Sequence, residues 1–81
     1  MKENELKINA RGLSNPGPRM MVKTAIEEQV CDKIRVVVTS IAAVGDLEDY
    51  FESIGATCEI DEIGDEYHIL AVLGAKPGAG D

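Results

Sequence analysis

The sequence predicts an α/β fold: a two-layer sandwich in the order βαβαββ, with a four-stranded mixed sheet and two helices on one face. Three observations predict it. Apolar residues alternate with polar ones at Leu6, Ile8 and Ala10, and run without a break through Val36, Val37 and Val38, two different signatures of sheet. Each of these stretches is followed by one in which apolar residues recur at helical spacing. Two further extended stretches flank Gly64-Asp65-Glu66 and read as a hairpin. Right-handed crossovers put successive helices on the same side of the sheet unless the strand order reverses, so the other side must be partly polar or used for binding.

In chain order, Leu6, Ile8 and Ala10 face one way while Lys7, Asn9 and Arg11 face the other, a half-buried strand. Gly12-Leu13-Ser14 turns the chain into Asn15-Pro16-Gly17-Pro18. Asparagine is a preferred helix N-cap, and proline suits a first turn whose backbone donors have no intrahelical acceptor. A helix over about residues 16–30 follows, with Val22, Ile26 and Val30 in one row, Met21 and Ala25 beside them, and Arg19, Met20, Lys23 and Glu27 on the far side. Residues 34–39 form a strand whose continuous valines suit a central position. Ser40 caps a second helix in which Ile41, Val44, Leu47, Tyr50 or Phe51, and Ile54 recur. Gly45 weakens its middle, and Gly55 suits a left-handed stop. Residues 57–63 and 67–73 make the hairpin, and the Gly/Ala/Pro-rich residues 74–81 read as a flexible tail.

An 81-residue chain supports one core, so residues 1–81 are expected to be a single domain with its core at about 6–73. No apolar run approaches the roughly 20 residues of a membrane span, and the polar start is not a leader, so the expected location is the cytoplasm. Charge is uneven. Residues 1–35 hold seven bases and five acids, whereas residues 36–81 hold one base and ten acids, for a net charge of −7. Such an acidic chain gains little from counterion release at phosphates, which argues against direct nucleic-acid binding and leaves a protein partner for the basic half.

Neither metal nor cofactor chemistry is indicated. Cys31 and Cys58 are too far apart in sequence for a paired-thiol motif, and His68 is the only histidine. No nucleophile elbow, phosphate loop or dinucleotide fingerprint occurs. Cys58, in alternation with Ile60, points toward the core, where a thiol stays protonated and inert. Met20 and Met21 read as core fillers before they read as a binding stripe. The acids of residues 59–66 read as solvation of the hairpin.

At Ala10-Arg11-Gly12-Leu13-Ser14-Asn15-Pro16-Gly17-Pro18 the chain resembles the TusA/SirA family of small sulfur-carrier proteins. Members of that family open with a strand, then Arg-Gly-Leu, then a Cys-Pro-x-Pro motif that starts the first helix. The resemblance continues through Met20-Met21-Val22-Lys23 to Tyr67 and covers about residues 6–73. It implies the same two-layer fold, a sulfurtransferase or sulfur-carrier activity, and sulfur-trafficking protein partners. In the family the motif cysteine takes sulfane sulfur as a persulfide from a cysteine desulfurase and passes it on by thiol exchange. Here Asn15 stands at that position, and a carboxamide cannot form a persulfide, so no catalytic residue is assigned. A second departure is Thr39-Ser40-Ile41, where many relatives have an acidic pair followed by proline.

The expected binding residues are Arg11, Asn15, Pro16, Pro18 and Lys23. Three functions stay open from sequence. The chain is a degenerate sulfur-relay or docking protein, a regulatory or scaffolding interaction module unrelated to sulfur, or a thiol enzyme working through Cys31 or Cys58.

Overall fold

The alternating start of the chain becomes β1 (Glu5–Asn9), and its Ala10 amide extends the pairing by donating to the Val37 carbonyl at 2.9 Å. The structure, a computed structural model, describes residues 5–28 and 32–73. After β1 come α1 (Gly17–Glu28), β2 (Lys33–Val38), α2 (Ile41–Ser53), β3 (Thr57–Ile63) and β4 (Glu66–Val72), the βαβαββ order. Residues 29–31, which include the expected last turn of the first helix and Cys31, lie outside the described residues, as does the expected tail.

The strand order is β1-β2-β4-β3, with β1 parallel to β2 and both β2 and β3 antiparallel to β4. α1 links neighbouring parallel strands. α2 carries the chain past one vacant position to β3, and the hairpin returns β4 into that gap. Both crossovers step in the same direction, so both helices lie on one face. The register places Leu6 opposite Ile34, Ile8 opposite Val36, Val36 opposite Ile69, and Ile69 opposite Ile60. These residues form the helix-facing side. Val22 of α1 and Val44, Leu47 and Phe51 of α2 close over it, with Phe51 and Leu47 fully buried. Each such side chain contributes about 1.5–3 kcal/mol by leaving water.

Several expectations are corrected at the helix surfaces. Met20 and Met21 are not core fillers: both are exposed, Met20 by 59%. Ile41 and Ile54 keep the helical spacing but stand at the two ends of α2, beyond the sheet's cover, and are exposed. β4 begins at Glu66, which pairs with Ile63, one residue earlier than expected. The turn is correspondingly tight, with Gly64 at φ +61°. Gly55 adopts φ +83° and stops α2 as expected, and the Ser40 hydroxyl accepts from the Ala42 amide at 3.2 Å as its N-cap.

Candidate functional site

The motif segment leaves β1 through a turn in which Gly12 adopts φ +79°, a conformation that side chains with a Cβ resist. Its amide donates to the Thr39 hydroxyl at 3.0 Å, just past the end of β2. Three residues on, the Asn15 carboxamide donates through Nδ2 to the carbonyl of Ala42 at 3.4 Å, in the first turn of α2. One turn into α1, the Arg19 guanidinium meets Asp46 of α2 at 2.9 Å. All three links join residues 27 positions apart. The two strand-helix units are thus laid side by side in register, and polar links fasten one to the other along the motif edge.

Asn15 is solvent-exposed and does not cap α1 as the sequence suggests. The helix begins at Gly17, so Asn15 lies outside it, before Pro16 and joined to it by a cis peptide bond. A cap accepts from the amide two or three residues ahead, and one such position here is Pro18, which has no N–H. The turn is closed by backbone instead: Gly17 N donates to Ser14 O at 2.8 Å, and Met20 N to Pro16 O at 2.9 Å. Pro16 and Pro18 reduce the number of donors needing a partner, which frees the Asn15 side chain to reach α2.

The five expected binding residues do not converge. Asn15, Pro16 and Pro18 form the loop and first turn, and Pro18 is buried under it. Lys23 lies further along α1 and pairs with Glu27 at 3.0 Å, an exposed i,i+4 contact. Arg11 points to the hairpin end of β4, where its Nε and Nη2 donate to the two carboxylate oxygens of Glu66, the Nη2 contact at 3.1 Å. Glu66 also meets His68 Nε2 at 3.1 Å. The Arg11 guanidinium and then His68 hold the Glu66 carboxyl below the usual carboxylate range.

Sequence reasoning marked Thr39-Ser40-Ile41 as a departure from the family pattern but gave neither Thr39 nor Ile41 a role at the site. The departure at Thr39-Ser40-Ile41 supplies two structural hydroxyls, one anchoring the motif loop and one capping α2, followed by an isoleucine that is 66% exposed. With Leu13 and Met20, also exposed, Ile41 belongs to the segments that meet at Asn15. Their only prior signal was apolar residues flanking turn residues.

Nothing at residue 15 can act as a nucleophile. Cys58 lies on the helix-facing side of β3, half-buried against the core; burial pushes its thiol pKa up, and the carboxylates of Glu48 and Glu52 push it the same way. Among the described residues, no group of three or more His, Cys, Asp or Glu is arranged to hold a metal ion, and no helix is long and apolar enough to cross a membrane.

The family model described as sulfurtransferase TusA matches residues 6–72 of this chain. Among solved structures, the SirA-like protein from Desulfitobacterium hafniense is similar in fold, with a TM-score of 0.77 and 24% sequence identity over 85% of this chain and 97% of that one. No curated protein matches.

Proposed function

The chain belongs to the TusA sulfurtransferase family, and we propose that it is a docking member of a cytoplasmic sulfur relay, one that engages a sulfur-trafficking protein without carrying sulfur at residue 15. The observation that carries this reading is the exposed Asn15 carboxamide, at the position where the resemblance puts the family's motif cysteine. The Gly12 turn, the two prolines and the links to Thr39 and Ala42 together leave residue 15 exposed to solvent. Exposed Leu13, Met20 and Ile41 supply apolar area of the kind protein interfaces bury. Cys58 is a poor substitute for the missing nucleophile because its thiol is half-buried and disfavoured as thiolate.

The test is mass spectrometry after incubation with a cysteine desulfurase and cysteine. The wild-type protein is expected to gain no sulfur atom, whereas Asn15→Cys is expected to gain one at residue 15. Stoichiometric persulfide on Cys58 or Cys31 of the wild type would replace this reading with a thiol enzyme. A reactive but unloaded thiol in Asn15→Cys would favour an interaction module unrelated to sulfur.

A further inference from the structure

The side of the sheet turned away from the helices carries a feature apart from Asn15 and its loop, reached from the motif only by Arg11. By the strand register, Lys7 stands beside Arg35, and Asn9 beside Val37, which in turn faces His68. Together with Arg11 these residues line an open basin of about 320 Å³, at the small end of the range for ligand pockets. Val37 forms its floor and is 8% exposed although no helix covers it, because the longer side chains around it shield it.

The basin is rich in donors. Asn9 Oδ1 accepts from the Arg11 amide at 3.1 Å, which commits the oxygen and leaves the Nδ2 hydrogens to donate. Arg35 gives its Nε to Glu5 at 3.0 Å, so the guanidinium is held in place while its two Nη groups remain. Arg11 is held in the same way by Glu66 and keeps one Nη. Lys7 adds an ammonium with no ion-pair partner among the described residues. Against these three cations stand the bracing carboxylates Glu5 and Glu66, with Asp61 beside His68 on the neighbouring strand. The residues that line the basin include these three cations and no carboxylate, within a chain of net charge −7.

We infer that this basin binds a small oxyanion-bearing molecule, its carboxylate or phosphate group held by Lys7, Asn9 and Arg35 and its body resting on Val37. Guanidinium and amide donors fixed in place before the ligand arrives match such a group in geometry as well as charge. A nucleic-acid strand fits less well. The aromatic residues of the chain lie on α2 and on the helix-facing side of β4, so none is offered here for base stacking, and the adjoining β3 is acidic. The site is on the opposite side of the sheet from α1 and α2 and does not depend on the sulfur-relay reading.

The experiment is amide-resolved NMR titration of the whole chain with inorganic phosphate, with succinate and with a single-stranded oligouridylate, each at constant ionic strength against sodium chloride. Saturable shifts at Lys7, Asn9, Arg35, Val37 and His68 with phosphate or with succinate are expected, and the anion that saturates identifies the headgroup. Lys7→Gln and Arg35→Gln should each weaken that binding about tenfold, the loss of one charge-assisted hydrogen bond. Lys7 is exposed, so its substitution leaves the fold intact even if Arg35→Gln does not. Shifts that follow sodium chloride equally, that are unchanged in Lys7→Gln, or that saturate only with the oligonucleotide would overturn the inference.

Discussion

The Asn15 carboxamide donates to the carbonyl of Ala42 at 3.4 Å, tying the motif loop to the first turn of the second helix. Residue 15 is therefore positioned by two helix starts, yet its side chain is not required to satisfy either. A different side chain can occupy this exposed position with little effect on the fold.

The first prediction follows from that geometry. Asn15→Ala removes one long, exposed hydrogen bond and should cost about 0.5 kcal/mol or less, below the roughly 1 kcal/mol of a lost N-cap. Asn15→Asp should give no gain, since a carboxylate cannot donate to the Ala42 carbonyl. Urea denaturation of the three proteins checks both, and a loss above about 1 kcal/mol for alanine would restore the capping role.

Asn15→Cys places a thiol in the same exposed position before α1 and against the start of α2. The dipoles at both helix starts favour a thiolate. Iodoacetamide near neutral pH should modify the new thiol well before Cys58, whose burial works against the thiolate. Peptide mapping at partial modification reads the order directly, and preferential labelling of Cys58 would contradict the placement of residue 15.

Two glycines should respond in opposite directions. Gly45 lies inside α2 with open space around its missing Cβ, so Gly45→Ala should stabilise the protein by about 1 kcal/mol. Gly55 holds φ +83°, and Gly55→Ala should destabilise it by about 1 kcal/mol despite equally open surroundings. Thermal denaturation distinguishes the two, and the same sign for both would contradict the backbone geometry at Gly55.

Glu66 predicts a pH dependence. Its carboxyl lies below its ordinary value of 4.5, first through Arg11 and then through His68. A carboxylate whose pKa is lower in the folded state stabilises above the unfolded value, and that contribution disappears as pH falls through the folded value. Wild type should therefore be more stable than Glu66→Gln at neutral pH. The difference should begin to shrink below about pH 4.5 and vanish under stronger acid. Paired denaturation curves across that window check it, and a difference that grows on acidification would contradict the ion pair.

Much of the fold was legible in the sequence because burial there follows simple periods. Alternation found β1, the unbroken valines marked the central β2, and Ser40 and Gly55 bounded α2 through local backbone chemistry. Helical spacing misled where an apolar residue fell beyond the sheet's reach, at Ile41 and Ile54, and where Met21 fell outside the narrow contact of α1. The candidate site was legible only in its loop. Asparagine before proline suggests a cap until the position of Pro18 relative to the helix start is known. The reach of Arg11 to Glu66 spans 55 positions, a distance no local pattern records. The basin on the open face required the parallel register of β1 and β2, which brings Lys7 beside Arg35.

Competition in sulfur transfer tests the docking role most directly. A chain that docks but cannot accept sulfur must inhibit persulfide transfer from a cysteine desulfurase to a cysteine-bearing TusA protein of the same cell. Wild-type chain in excess is expected to slow that transfer. Ile41→Asp and Leu13→Asp, which place charge on exposed apolar positions, are expected to relieve the inhibition while remaining folded. Undiminished transfer in the presence of saturating wild-type chain, together with no sulfur loading of Asn15→Cys, would contradict a place for this protein in sulfur relay.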